Sequence, residues 1–140
     1  MNKTSMIKGA VLAAGHSLIT LLWIALEWKA DLPLIYLFSL FFPLIYIITI
    51  IIVCSADSYK KQITSCLIYV ISGLTFNIII LFSNIVNIIF RNLFPGDEMW
   101  AGDGFMIMAI YMETAVSAII GIILLFIIST IRFKIKKKEG

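Results

Sequence analysis

The sequence predicts an all-α integral membrane protein: a four-transmembrane-helix bundle, built as two antiparallel helical hairpins with both termini on the cytoplasmic side. Three observations predict it. Four apolar segments, 10–28, 33–54, 63–90 and 105–131, each approach or exceed the ~20 residues that a helix needs to cross a hydrocarbon core of ~30 Å. The composition fits that solvent, since 61% of residues are hydrophobic and 14% charged, against about 25% charged in soluble domains. Mean hydropathy is +1.06. The third observation is where the charges fall. Lys3 and Lys8 precede the first segment, Lys60 and Lys61 separate the second from the third, and Arg132, Lys134, Lys136, Lys137 and Lys138 follow the fourth. Only Lys29 and Arg91 fall on the alternate side. That nine-to-two split places both termini inside by the positive-inside rule.

The four spans use nearly all of the 140 residues, so residues 1–140 form one transmembrane domain. The first span could be taken for a signal peptide, with Lys3 and Lys8 as its basic region. Trp28-Lys29-Ala30 matches an A-x-A cleavage site poorly, so the segment is expected to stay in the chain. Its first half is rich in small residues. Ala10 and Ala14, and likewise Ala13 and Ser17, are four apart, the spacing that lets a neighbouring helix approach closely. Trp23, Glu27 and Trp28 suit the interface at its far end.

The short link 29–32 demands a tight turn into the second span. Pro33 suits the first turn of a helix, whereas Pro43 lies mid-span, removes one backbone bond and predicts a kink. The rest of the second span is lipid-compatible, which predicts the most exposed helix. The third span is long and should tilt or protrude. At about 100° per residue, Gly73, Asn77, Ile80, Asn84 and Asn87 share one stripe, which predicts an inward face. In the loop 91–104, Phe94, Met99 and Trp100 interleave with Asp97, Glu98 and Asp103, a pattern that fits partner contact at the outer interface. The fourth span carries Ala109, Glu113, Ser117 and Gly121 at four-residue spacing, a small-residue packing groove with one carboxylate in it.

Polar residues inside the spans are the functional candidates. Counting from Phe105, Glu113 lies roughly 12 Å deep at 1.5 Å per residue. An ionised carboxylate there costs a few kcal/mol on insertion scales, so it is expected to be protonated, hydrated or paired. It serves either as a proton or ion site or as a bonded group that fixes helix register. Adjacent spans tend to be neighbours, which predicts that the third and fourth form the polar core with Asn84 close to Glu113. Asn77 and Asn84 either line a polar passage or bond neighbouring helices. His16 serves either as a pH-sensitive relay or as a neutral imidazole bonded to a Ser or Thr on a neighbour.

No H-x-x-x-H, H-E-x-x-H or Cys/His cluster occurs, so no metal or other cofactor is expected. No G-x-S-x-G context or comparable nucleophile setting occurs either, so no enzyme is expected. Asp97, Glu98 and Asp103 lack EF-hand spacing. The basic tail beside a span reads as a topology anchor or a contact to anionic lipid, not to nucleic acid. Cys54 and Cys66 flank a loop on the reducing side, so no disulfide is expected. The abundance of Ile, Lys and Asn over Ala, Arg and Gly fits an A+T-rich coding sequence and leans towards a bacterial source.

In architecture the chain resembles bacterial immunity proteins against pore-forming toxins, short inner-membrane chains with cytoplasmic ends and almost no soluble mass. It also resembles them in residues 106–138, an apolar span with Tyr111 that ends in a basic tail and makes up a quarter of the chain. Membrane subunits of multi-protein antiphage systems share the architecture. The resemblance implies action through helix association, with the lipid bilayer and a second copy or another membrane protein as partners. The alternative is a homo-oligomeric ion channel or proton-coupled carrier, with Glu113 and the Asn77/Asn84 stripe along the pathway.

Overall fold

A computed structural model describes residues 2–82, 88, 91, 92 and 101–139, with 101–103 and 136–139 described through their backbone alone. The described chain is all-helical and contains four helices, each long and apolar enough to cross a membrane. These are α1 (Lys3–Glu27), α2 (Leu32–Cys54), α3 (Tyr59–Phe82) and α4 (Ala101–Glu139). No strand occurs among the described residues.

Each helix starts before its apolar segment, because helical hydrogen bonding continues into water beyond the hydrocarbon boundary. The Asn2 side chain caps α1 by accepting the Thr4 amide N–H at 3.1 Å, which serves one of the orphan donors of the first turn. Asp31 precedes α2, and Pro33 stands in its first turn, where no intrahelical N–H is needed. Pro43 lies inside α2, which runs as one helix to Cys54. The fourth helix begins at Ala101, so residues 101–104, expected in the loop, are helical.

The order of packing differs from the order in sequence. The central helix, α1, packs most closely against α3 and also meets α2 and α4, while α4 packs chiefly against α2. Among the described residues, the closest packing is therefore of α1 with α3 and of α2 with α4, while the Asn84 part of the expected third–fourth seam lies outside them. The reason lies in small residues. On α1 the buried row is Ser5, Gly9, Ala13 and Ser17. A Cβ on Gly9 would overlap the Ser65 carbonyl oxygen, so the two backbones touch there. Close approach of this kind outweighs sequence adjacency in choosing neighbours.

The expected small-residue rows are met in part, with Ala13 and Ser17 on the α1 contact row. On α1, Ala10 and Ala14 are half-buried beside the contact row rather than on it. On α4, Ser117 and Gly121 are buried but Ala109 is exposed. Ser117 and Gly121 share the contact face, which does not extend to Ala109 at the outer end of the row. The helix instead uses Ile107, Ile110 and Thr114 at one end and Ser117, Gly121, Leu125 and Ser129 at the other. The described parts of α2 and α3 are exposed to a similar degree, with 22% and 17% of their most apolar stretches buried. Beyond Tyr69, none of the described residues of α3 is buried.

Two apolar clusters form the core. One joins Leu12, Ala13, Ile50, Cys54, Cys66, Tyr69 and Leu125 near the end that carries Lys8 and Lys61. The other joins Trp23, Ile24, Phe42, Ile107 and Ile110 towards the opposite end, with Trp23 and Phe42 stacked at 5.0 Å between ring centroids. A polar layer separates them.

Candidate functional site

The polar layer is built around His16. The α1 register turns His16, Ser17 and Thr20 inward together, and all three are buried. From α3 the Tyr69 hydroxyl meets His16 Nδ1 at 2.8 Å, and from α2 the Thr49 hydroxyl meets Nε2 at 2.7 Å. The protons can be assigned from the remaining bonds. The Thr49 hydroxyl donates to the Ile45 carbonyl at 2.6 Å, so it accepts the Nε2–H of His16. Nδ1 is then the acceptor, and Tyr69 donates to it. Tyr46 donates to the His16 carbonyl at 2.6 Å and is hydrogen-bonded to the Thr20 hydroxyl. Its ring lies 4.1 Å from the imidazole, centroid to centroid.

The result is a closed set of hydrogen bonds that ties α1, α2 and α3 together. The His16 imidazole is bonded to a Thr hydroxyl on a neighbouring helix, as one expected reading has it, with a Tyr as second partner. Sequence reasoning did not find Tyr46, Thr49 or Tyr69. The available signal was two tyrosines in the middle of apolar spans, since a buried Tyr hydroxyl needs a partner.

A second polar group lies beyond that layer, towards the end that carries Glu27. Glu113 is half-buried, with the Ser39 side chain of α2 beside its carboxyl. Ser39 is four residues before Pro43, which has no N–H to offer its carbonyl. The helix is therefore locally under-bonded where the carboxyl arrives. The second carboxyl oxygen of Glu113, Oε2, is buried without a partner, as are Asn77 Oδ1 and the Tyr111 hydroxyl. Glu27, expected at the interface, is 5% exposed, and its Oε1 accepts the Trp23 indole N–H at 2.5 Å.

The Gly73, Asn77 and Ile80 stripe is half-buried along α3, as its spacing predicts. Asn84 lies outside the described residues, as do Asn87, Trp100, Asp97 and Glu98, and the side chain of Asp103. A third polar contact ties α3 to α4 at the Lys61 end: Gln62 donates to Ser129 at 2.7 Å and Tyr59 to Thr130 at 3.0 Å. Cys54 and Cys66 are buried free thiols. Among the described residues, no three His, Cys, Asp or Glu side chains converge as metal ligands would.

The chain matches no family model, no curated protein and no solved structure.

Proposed function

We propose that the protein is a small non-enzymatic bacterial inner-membrane protein that acts through helix–helix association, of the immunity or defence type. It would protect against a pore-forming toxin or serve as the membrane subunit of an antiphage system. The carrying observation is the closed His16 layer. Its donors are spent inside the bundle, so the spans offer their surroundings chiefly apolar side chains. On α2 these include Tyr36, Leu40, Leu44 and Ile48, and on α3 Ile71, Leu74, Ile78 and Leu81. Such a surface suits lipid and other membrane helices alike, and with little mass outside the spans, packing against other membrane helices is the proposed mode of action. The second half of α3, residues 70–82, has no buried residue among those described and is the proposed contact face.

The proposed topology has both termini in the cytoplasm and two antiparallel hairpins. It is supported by the basic asymmetry and by one polar pocket that residues 2, 4, 5, 8, 55–57, 61, 65 and 132 line together. It is also supported by the pairing of Trp23 with Phe42 and His16 with Thr49, whose numbers run in opposite directions. Single cysteines at positions 58 and 101 test the topology in intact cells. An impermeant thiol reagent should label 101 and spare 58; the reverse result refutes the orientation.

Cross-linking tests the association. Photo-reactive residues at Ile78 on α3 and Ile48 on α2 are compared in native membranes, alongside ion flux in liposomes. Cross-links from Ile78 and no flux are expected. Equal capture from both helices, or none from either, removes the α3 contact face.

The alternative, an oligomeric channel or proton-coupled carrier, draws on Glu113 Oε2, Asn77 Oδ1 and the Tyr111 hydroxyl. Such buried unpaired atoms call for water, an ion or a partner. Wild-type flux whose selectivity changes in Glu113→Gln selects this alternative.

A further inference from the structure

The end of the bundle that carries Lys8 and Lys61 holds a polar pocket of about 430 Å³. That volume falls within the ~300–1,000 Å³ of small-ligand clefts. Three cations line it from three different helices: Lys8 of α1, Lys61 of α3 and Arg132 of α4. Thr4 and Ser55 add hydroxyl groups, and Asp57 is the one carboxylate in the lining. Three positive charges against one negative leave a net charge of +2 in a cleft rich in donors.

Such a donor set has a specific chemical match. A guanidinium presents paired N–H groups to two phosphate oxygens, and ammonium groups add point charges around them. The lining comes from segments distant in sequence, the first turns of α1 and α3, the link 55–57 and the last part of α4. Folding of the bundle therefore assembles it, unlike a run of lysines on a tail. Exposed apolar residues adjoin every cation in sequence: Ile7 beside Lys8, Ile63 near Lys61 and Ile131 beside Arg132. A ligand with a phosphate head and acyl chains could satisfy both surfaces.

We propose that this pocket binds a single phosphate group, supplied by the headgroup of an anionic phospholipid. The site is independent of the helix-association function. It concerns the lipid held at the basic end, where basic pockets between spanning helices recognise such headgroups.

The experiment uses the full chain in mixed micelles with equal phosphatidylglycerol and phosphatidylcholine, read by native mass spectrometry for retained lipid. A second arm follows the phosphorus NMR line width of inorganic phosphate over lipid-free protein in detergent. Lys61→Gln, Arg132→Gln and the double variant are compared with Lys134→Gln, a tail charge outside the pocket. Circular dichroism checks that each variant stays helical, and Lys61→Arg keeps the charge should Lys61→Gln fail to fold.

One phosphatidylglycerol should be retained in preference to phosphatidylcholine. Retention should fall about fivefold for each pocket cation removed, persist in Lys61→Arg and be unchanged in Lys134→Gln. Line broadening of inorganic phosphate that the same variants abolish, without lipid preference, keeps the phosphate chemistry and makes a soluble anion its source. No preference in either arm, or equal loss in Lys134→Gln, overturns the site.

Discussion

Gly9→Ala should loosen the bundle more than the size of one methyl group would imply. The added Cβ would overlap the Ser65 carbonyl oxygen and stand 3.0 Å from the Tyr69 backbone nitrogen and 3.2 Å from Ile68 Cβ. Two of these three atoms are backbone, so no rotamer change relieves them. Ordinary contacts begin at about 3.5 Å, so the Tyr69 approach alone asks α3 to retreat by about 0.5 Å. A gap of that size forfeits about a quarter of the dispersion along the seam. It also stretches two bonds that cross it, Ser65 to the Ser5 carbonyl at 3.0 Å and Tyr69 to His16 at 2.8 Å, each worth about 0.6 kcal/mol in a membrane. Overpacking of this kind costs about 1–3 kcal/mol. Alanine returns about 0.5–1 kcal/mol through its better helix propensity. The expected net loss is up to about 2.5 kcal/mol.

Gly15→Ala is the matched control, because a Cβ there meets nothing within 4 Å. It keeps the propensity gain without the clash, so stability should be unchanged or slightly higher. Both variants can be unfolded from mild detergent by SDS titration. Tryptophan emission is the readout, since Trp23 is fully buried on Phe42. Equal midpoints for Gly9→Ala and Gly15→Ala would refute the close α1–α3 contact.

Tyr69→Phe removes the donor to His16 Nδ1 and should cost about 1 kcal/mol or less in the same titration; a loss above about 3 kcal/mol would mean that the hydroxyl does more than join two helices. Gly121→Leu should destabilise the fold itself rather than any external association, because a Cβ there already meets Ile47 Cα at 3.2 Å and Ile50 Cδ1 at 3.1 Å. A variant that keeps its wild-type midpoint yet loses cross-linking to partners would return that groove to the outside. Glu113→Gln should fold as wild type does and leave association intact, since an amide keeps the shape of the carboxyl and its capacity to accept a hydrogen bond. Loss of cross-linking in that variant would make the carboxylate part of the contact.

The four helices were legible because hydrocarbon thickness sets a length that composition reveals directly. Their ends were not. The apolar stretches mark where lipid begins, while the helix continues through Lys3–Gly9 and past Ile131 into polar surroundings that tolerate it. The choice of neighbours was also hidden. Sequence adjacency favoured the third and fourth spans, but α1 approaches α3 backbone to backbone over Gly9, and α4 lays Gly121 against α2. Small residues at four-residue spacing announce that a close contact exists. They do not say which helix makes it. Nor does a fixed spacing of four locate the face, since Ser5, Gly9, Ala13 and Ser17 lie about 100° from the neighbouring row of Ala10 and Ala14.

The site divides in the same way. His16 and Glu113 stood out because each is a costly residue in hydrocarbon. Their partners did not, because Ser, Thr and Tyr hydroxyls are common in spans and can return their bonds to the backbone of their own helix. Ser17, Thr75 and Thr130 do only that or chiefly that, donating to the carbonyls of Ala13, Ile71 and Phe126. What separates Thr49 from Ser17 and Thr75 is a neighbour, and a neighbour is a property of the packed bundle. Glu113 shows the point most sharply. Pro43 was read as a kink in α2 and Glu113 as a carboxyl in α4. The fold makes them one feature, because the proline withdraws the N–H that Ser39 would otherwise receive and Ser39 is the residue that meets the carboxyl. A helix defect and a buried acid on another helix are thus placed together. Replacing Pro43 with alanine would restore the backbone bond and leave Glu113 with the same hydroxyl but a stiffer partner.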